Sequence, residues 1–408
     1  MTPAMSATAP APAPAPAHEP GAPLRAARDV AEDLAADAVT RDRAGRPPAD
    51  EVARLRDAGL LAALVPPGRA HGVDWRTGCA AVREIATADS SVGELLARHY
   101  VHAWSGRFYG TPHRAGALER DTARGQLLMA GRVLGTAPDG GGRDLTLTPL
   151  DSGHLLTGCR PVDTAVTVAD RFVVDALCAV TGEVLVVRVP SDHPGVSVEP
   201  ARDRLGQRVA GAGTVAFDRV AVAPAQVLGP RPYDEESTAP FTALAGPALR
   251  LALCHVGLGI AEGALSEARD AGRTTPAVLP DRPVAPADHG RLPVRDPDVL
   301  LAYGELASAA RTAAAVVERA TDAMARALEA GRHLDPDEPA DVAALVATAE
   351  TVTADAALRV TTRVLELADA PGLDRFWRNA RVLTAHRSAA HRLRDIGEHY
   401  LNGAYRLA

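Results

Sequence analysis

A segment rich in β-branched residues, from about Met129 to Gly229, separates two long stretches with helical patterning. Within it, Glu183–Val189 is a nearly continuous apolar run and Thr214–Val222 alternates, while Gly, Pro and Asp punctuate these runs at short intervals. Short β-branched runs divided by turn residues predict a small antiparallel β domain. Because helical stretches lie on both sides, the chain is predicted to be mostly α with a central β domain.

Helical periodicity, in stretches poor in Gly and Pro, predicts the helices on either side of the β segment. Before it, helices are predicted over Leu24–Asp42, around Val52–Leu61, over Thr77–Ala97 with a break at Asp89, and in part of Phe108–Leu128. After it, they are predicted over Pro247–Gly272, Asp296–Gly331, Asp341–Ala370 and about Arg375–Asn402. Four long helices after a β domain predict a C-terminal four-helix bundle.

The predicted organisation has four parts. Residues 1–22 form a disordered tail, 23–128 an N-terminal helical domain, 129–230 the β domain and 240–408 the C-terminal helical bundle. The tail is dominated by alternating Ala and Pro, which keep a chain extended and cannot bury a core. The Pro- and Asp-rich stretch Thr275–Pro293 is predicted to be a long loop within the bundle.

Charge and composition exclude several classes of protein. The formal net charge is -7 over 408 residues and there is no basic stripe, so no nucleic-acid partner is expected. No apolar run approaches the roughly 20 residues that span a bilayer, and a signal-peptide pattern is missing. A cytoplasmic protein without a membrane partner is therefore predicted. The sequence contains no lysine, which excludes Schiff-base chemistry and a Walker A nucleotide site.

Histidines near the C-terminus are candidate functional residues. His386 and His391 would point about 140° apart on one helix, which is poor for chelation, and His399 has no cysteine nearby to supplement it. The four cysteines are far apart and form no C-x-x-C pair, so no metal site or disulfide is predicted. One catalytic histidine that exchanges a proton with a reacting oxygen is the functional interpretation. Surface histidines are the alternative.

A C-terminal motif carries a family resemblance. Arg375–Arg381, followed by His386 and by His399–Gly403, resembles the flavin-dependent monooxygenases that share the acyl-CoA dehydrogenase fold, the family of dibenzothiophene monooxygenase. Four segments further upstream look like the same family: Arg41–Gly45, Asp57–Leu61, Val82–Ser91 and Gly257–Leu265.

The resemblance implies a cofactor and roles for particular residues. Such enzymes bind reduced FMN or FAD between the β domain and the bundle, and O2 adds to the flavin to form a C4a-hydroperoxide. By similarity, His386 donates to the peroxide, Thr164 donates to the flavin N5 and His99 lines the substrate side. The residues matched to the cofactor are Thr164, Arg132, Trp377, Arg378, and Arg273 with Thr274 at a flavin phosphate.

The resemblance also implies partners and a reaction. A separate flavin reductase would supply the reduced cofactor, and a homotetramer, or dimer of dimers, is usual for the fold. The reaction would hydroxylate or N-oxidise a small molecule. Because aromatic residues are only 3% of the chain, a flat aromatic substrate would find few stacking partners.

The chain departs from the family pattern at three positions near the expected site. Arg132 replaces an asparagine, Val162 an aromatic residue and Arg202 a tryptophan. Two arginines favour a polar or anionic substrate, such as a specialised-metabolite intermediate resembling an amino sugar. The alternative is that both arginines lie on the surface.

Two other functions remain open from the sequence. An acyl-CoA dehydrogenase needs a glutamate base, for which Glu262 and Glu267 are the candidates, although both fit a solvated helix face. The second open function is that of a remodelled family member that binds flavin poorly, because Arg132 and Val162 change the expected cofactor site.

Overall fold

The computed structural model describes residues 21–65, 74–133, 145–232, 238–274, 297–368, 370–385 and 388–403. Helices come first, then a sheet, then helices again, which confirms the predicted fold class. The N-terminal helices are α1 Ala22–Ala35, α2 Ala38–Ala44, α3 Ala49–Asp57, α4 Trp75–Ala88, α5 Ser90–Ala103, α6 Ser105–Tyr109 and α7 Pro112–Gly125. The C-terminal helices are α8 Pro240–Ala243, α9 Ala245–Thr274, α10 Pro297–Ala330, α11 Glu338–Leu367, α12 Asp374–Thr384 and α13 Ala389–Asn402.

Eight described strands form one mixed sheet, with the order β6-β7-β3-β2-β4-β5-β8 and β1 beside β4. The strands are β1 Met129–Arg132, β2 Leu145–Leu150, β3 Gly153–Val162, β4 Arg171–Cys178, β5 Val184–Pro190, β6 Val196–Pro200, β7 Gly213–Val222 and β8 Val227–Pro230. The predicted boundaries at 129 and 230 coincide with the start of β1 and the end of β8. The division into domains itself stays a prediction.

The expectation of a wholly antiparallel β domain is wrong, because β4 pairs in parallel with both β1 and β2. β1 lies beside Arg171–Val174, and β2 lies beside Leu177 and Cys178 further along the same edge of β4. The β2–β3 hairpin returns the chain, so that β4 runs in the same direction as β1 and β2. Side-chain patterning gives the faces of a strand but not the direction of its neighbour.

Capping residues divide two of the predicted helical stretches. The break predicted at Asp89 is confirmed, because its carboxylate accepts hydrogen bonds from the amides of Ser91 and Val92 and starts α5. The last helix, predicted as one, is two, since the hydroxyl of Ser388 accepts from the amide of His391 and starts α13. Leu24–Asp42 likewise forms two helices, α1 and α2, rather than one.

Helix α9 is the central element of the bundle and contacts α4, α5, α10, α11 and α12. The segment Pro240–Arg273 is apolar and long enough to cross a membrane by composition, but 72% of its apolar window is buried in the fold. A Cβ at Gly259 would lie 2.6 Å from the Cβ of Ala86, and one at Gly263 would lie 2.8 Å from Phe376. Glycine at these positions therefore allows α4 and α12 to pack directly on α9.

Three sequence predictions fall on residues outside the described ranges. These are the Ala- and Pro-rich tail up to residue 20, the loop Thr275–Pro293 and His386.

Candidate active site at the junction of the β domain and the bundle

Thr164 lies in the loop that follows β3, where the sheet meets the helices. The residue is only 3% exposed. The loop is held against residues 207–211 because the amides of Ala165 and Val166 donate to the carbonyls of Ala210 and Gly211 at 2.8 and 2.7 Å. The Thr164 hydroxyl makes no hydrogen bond within the described part of the chain. It can therefore donate to a ligand that enters this junction.

Asn379 of α12 ties the same loop region to the helices. Its side-chain oxygen accepts from the backbone amide of Gln207 at 2.7 Å, and its side-chain nitrogen donates to the hydroxyl of Ser90 at 2.8 Å. Gly206 packs directly on α12, since a Cβ there would lie 2.4 Å from the carbonyl oxygen of Arg378. The buried side-chain amide of Asn379 thus links α12 to the turn before β7 and to the start of α5.

The side chain of Gln207 carries the clearest orphaned polar atoms of the junction. The residue is fully buried, and neither its amide nitrogen nor its amide oxygen has a hydrogen-bond partner within the described ranges. Its φ of 51° lies in the left-handed region, which costs backbone energy for a residue other than glycine. Buried amides without partners are rare, so this one indicates a position for a polar ligand or an ordered water.

His99 is held in the core by both of its ring nitrogens. The amide of Met129 donates to Nδ1 at 3.0 Å, so Nε2 carries the proton and donates to the carbonyl of Leu61 at 2.7 Å. Burial lowers the pKa of His99 to about 4, so the ring is neutral at pH 7. These contacts leave neither nitrogen for a substrate, in contrast to the substrate-side role that the resemblance implies.

The sequence reasoning missed three buried polar residues of α5 near His99. Burial and the charge of Arg98 lower the pKa of His102 to about 3. Arg98 is itself buried, and it bonds to Glu94 at 2.8 Å and to Asp163, next to Thr164, at 2.9 Å. An ion pair across the end of β3 therefore fixes the loop that carries Thr164. No local motif marks it, because Arg98 and Asp163 are distant in sequence.

Arg378 uses its guanidinium within the protein. It bonds to Asp42 of α2 at 2.5 Å, to Asp374 at 3.0 Å and to the carbonyl of Leu205 at 3.1 Å. This geometry joins α12 to the N-terminal helices and to the sheet, and it differs from the cofactor contact implied by the resemblance. Trp377, beside it, is half-buried.

The other matched residues are spread around the junction. Arg132 ends β1 and is partly buried, and its carbonyl accepts from Arg160 at 3.1 Å. Arg273 and Thr274 end α9, where the Arg273 side chain is 67% exposed. Arg273 instead lies 3.9 Å from Asp270 of the same helix.

The positions that depart from the family pattern differ in burial. Val162 ends β3 and is buried. Arg202 is exposed in the turn after β6, so the expectation that it lines a substrate pocket is not supported, and the surface alternative fits.

Glu262 and Glu267 are both paired with arginines, Arg83 and Arg375, at 2.8 and 2.9 Å. Neither glutamate is available as a free base in this arrangement.

A cavity of about 530 Å³ lies away from this junction, between α1, α4, α9 and α10. Ion pairs line its walls, including Arg83 with Glu262 and Arg76 with Asp322 at 2.6 Å. The buried imidazole of His255 bonds to Thr321 at 2.8 Å. The Nδ1 atom of His255 is buried and has no hydrogen-bond partner among the described residues. No group of three or more metal-binding side chains occurs among the residues that the structure describes.

The chain is similar to flavin-dependent oxygenases over nearly its whole length. It is 30% identical over 399 residues to dibenzothiophene monooxygenase of Mycolicibacterium goodii, covering 94% of this chain and 95% of that one. It is 28% identical to the probable FMNH2-dependent monooxygenase SfnC of Pseudomonas putida, with 93% and 94% covered. A shorter similarity, 29% over 249 residues and 57% of this chain, relates it to the amino sugar nitrososynthase RubN8 of Streptomyces rubradiris.

Solved structures give the same relationship. TdsC from Paenibacillus sp. A11-2, in complex with FMN and indole, matches with a TM-score of 0.86 and 28% identity over 95% of this chain and 99% of its own. Butyryl-CoA dehydrogenase of Megasphaera elsdenii, 20% identical with a TM-score of 0.75 and coverages of 93% and 97%, shares the fold. No protein-family model matches the chain. With its length, fold and motifs in agreement, the chain belongs to the dibenzothiophene monooxygenase family of flavin-dependent monooxygenases on the acyl-CoA dehydrogenase fold.

Proposed function

We propose that this chain is the oxygenase component of a two-component monooxygenase that uses reduced FMN and O2 to oxygenate a small molecule. The main support is that a relative similar over 95% of this chain binds FMN and indole together. A buried Thr164 with an uncommitted hydroxyl at the sheet–helix junction fits such a cofactor. FAD is the alternative cofactor.

Bound reduced flavin would supply the electrons that activate O2, and the protein would supply position and exclusion of water. In this proposal the Thr164 hydroxyl would donate to the flavin, Arg132 and Trp377 would help to hold it, and Arg273 with Thr274 of a neighbouring subunit would bind its phosphate. Guanidinium suits phosphate through its fork of donors. His386 is the proton donor near the reacting oxygen, and Arg378 acts by fixing α12.

His99 is proposed to position rather than to react. Its two backbone hydrogen bonds join α5 to Met129 at the start of β1 and to Leu61 after α3. A neutral imidazole with both nitrogens engaged keeps these elements in register without adding charge to the site.

The finer parts of the function are also proposals. A separate flavin reductase would supply FMNH2, in line with the similarity to SfnC, a probable FMNH2-dependent monooxygenase. An amino-sugar-like substrate and N-oxidation draw support from the partial similarity to RubN8. A homotetramer and a cytoplasmic location stay predictions. Since Glu262 and Glu267 are both paired with arginine, no observation favours the dehydrogenase alternative.

Anaerobic titration with reduced FMN, reduced FAD and reduced riboflavin is the first test. We expect reduced FMN to bind with the highest affinity. The complex should then consume O2, and with indole, dibenzothiophene or an amino sugar as test substrate, one atom of ¹⁸O2 should enter the product. Absence of reduced-flavin binding would overturn the proposal, whereas reduction of bound flavin by an acyl-CoA would favour the dehydrogenase.

A further inference from the structure

The cavity between α1, α4, α9 and α10 has a buried histidine in its wall with an unused ring nitrogen. Its volume of about 530 Å³ suits a small organic molecule. His255 of α9 lines the cavity and is 4% exposed. The Nε2 atom of this ring lies 2.8 Å from the hydroxyl oxygen of Thr321 of α10, whereas Nδ1 has no hydrogen-bond partner within the described ranges. Buried polar atoms without partners are rare, so Nδ1 indicates a position for a ligand.

The hydroxyl of Thr321 determines which ring nitrogen of His255 carries the proton. That hydroxyl donates its only proton to the carbonyl of Val317 at 2.8 Å, so its oxygen accepts from Nε2–H of the ring. Burial, together with the charge of Arg83, lowers the pKa of His255 to about 3, and the ring is neutral at pH 7. Nδ1 therefore presents a lone pair, and the group that satisfies it is a hydrogen-bond donor.

The walls of the cavity favour positive charge. Four carboxylate side chains and three arginines line it, which leaves one negative charge in excess. Arg83 donates to Glu262 at 2.8 Å and lies 3.5 Å from Glu318, whose side chain is 66% exposed. A carboxylate in such a pair keeps spare acceptor capacity, because its two oxygens offer about four lone-pair sites. The unused hydrogen-bonding capacity of the walls is therefore mainly for donors.

We propose that this cavity binds a small organic ammonium ion, with an N–H that donates to Nδ1 of His255 and a charge that lies beside Glu262 and Glu318. A neutral imidazole accepts from an ammonium group without repelling it. Leu24 and Ala80 in the wall provide apolar contact for the carbon part of the ligand. Because Nδ1 is buried, a side chain of the wall has to shift for the ligand to reach it.

An organic cation fits this cavity better than a metal ion does. Among the residues that the structure describes, no three metal-binding side chains come together. The inference goes beyond the proposed function, because the cavity lies away from the junction that contains Thr164. It adds a second ligand site to the chain.

Binding of three matched ring compounds tests this site. The probes are cyclohexylammonium, cyclohexanol and cyclohexanecarboxylate, which share a ring and differ in charge. Titration calorimetry at pH 7, with ligand-detected NMR for weak binding, measures their affinities for the full-length protein. We expect the ammonium to bind at least about tenfold more tightly than the other two, because charge-assisted hydrogen bonds are the strong ones. Equal affinities, a preference for the alcohol or the carboxylate, or no binding would overturn the site.

His255→Gln isolates the contribution of Nδ1. The amide nitrogen of glutamine can replace Nε2 as the donor to Thr321, but the side chain places no acceptor at the position of Nδ1. We expect cyclohexylammonium to bind at least about tenfold more weakly, with cyclohexanol unaffected. His391→Gln, the same change at an exposed histidine of α13, should bind like the unmodified protein. Undiminished ammonium binding in folded His255→Gln would contradict the proposal.

Glu318→Gln keeps the inference testable if His255→Gln does not fold, since Glu318 is largely exposed. Removing its charge should weaken cyclohexylammonium binding about twofold to fivefold, the value of one exposed ion pair, and leave cyclohexanol unchanged. Glu305→Gln is the matched control, because Glu305 is an exposed glutamate of α10 that lies 3.9 Å from Arg359 and does not line the cavity. The same affinity in Glu318→Gln and Glu305→Gln would count against the site.

Added FMN distinguishes this cavity from the proposed flavin and substrate site, which an amine could also enter. Binding in the cavity should be unchanged by FMN, whereas displacement of cyclohexylammonium by FMN would place the probe at the junction and overturn the assignment. Because the probe assay needs neither reduced flavin nor O2, its outcome is independent of the reduced-FMN titration that tests the proposed function.

Discussion

The side-chain oxygen of Asn379 accepts a hydrogen bond from the backbone amide of Gln207 at 2.7 Å. This contact joins α12 to the turn before β7. The side-chain nitrogen of Asn379 also donates a hydrogen bond to the hydroxyl of Ser90 at the start of α5. The turn also carries Ala210 and Gly211, whose carbonyls hold the loop of Thr164. The position of Thr164 relative to α12 therefore depends on Asn379.

Replacing Asn379 by alanine should weaken both folding and flavin binding. The residue is 4% exposed, and its loss leaves the buried amide of Gln207 without an acceptor, which costs about 1–3 kcal/mol. Urea unfolding would give the change in free energy, and anaerobic fluorescence titration the change in reduced-FMN affinity. Asn402→Ala, at an exposed position of α13, is the matched control. An unchanged flavin affinity in folded Asn379→Ala would show that the contact serves stability alone.

Replacing Thr164 by valine should reduce the affinity for reduced FMN about fivefold to tenfold, the value of roughly one hydrogen bond at a buried site. Valine keeps the shape of the side chain and removes the hydroxyl. Thr164→Ser keeps the hydroxyl and should bind nearly as well as the unmodified protein. If Thr164→Val binds reduced FMN with undiminished affinity in the same titration, the hydroxyl does not contact the cofactor.

Local sequence patterns predicted most of the elements but not their contacts. Helical periodicity and the Asp89 cap predict α4 and α5, and the segment Gly257–Leu265 is explained by the close approach of Gly259 and Gly263 to neighbouring helices. Periodicity, by contrast, reports only which face of an element is apolar. It therefore predicted neither the parallel pairing of β4 nor the break at Ser388 that divides the last predicted helix.

The candidate site was harder to predict because its contacts are long-range. Asn379 and Gln207 are 172 positions apart, and no motif links them. The resemblance identified Thr164, which is buried at the junction, but the same resemblance gave His99 a substrate role that its two backbone hydrogen bonds oppose. Residue matching transfers identity, whereas the partners of a side chain depend on the packing of this particular chain.

Replacing His386 by alanine should uncouple O2 consumption from product formation. Without a proton donor near the reacting oxygen, we expect faster release of hydrogen peroxide and less product. Stopped-flow mixing of the protein–reduced FMN complex with O2 measures the return of oxidised FMN, and a peroxide assay measures uncoupling. His391→Ala, an exposed histidine that contacts Ser388, should behave like the unmodified protein. The same rate and coupling in both variants would remove His386 from the mechanism.

Acidification should destabilise the protein through His99. Burial lowers its pKa to about 4 in the folded state, from the ordinary 6.5 of an exposed histidine, so between these values the unfolded chain binds a proton that the folded chain does not. Stability therefore rises with pH in this window and falls as the pH drops through it, by at most about 1.4 kcal/mol per pH unit for one histidine. Urea unfolding between about pH 7 and pH 4.5 measures this slope. His99→Gln should lower the slope by up to that amount, while His391→Gln, at an exposed position, should leave it unchanged. Equal slopes in the two variants would mean that the buried imidazole titrates alike in the folded and unfolded chains, contrary to its two hydrogen bonds and complete burial.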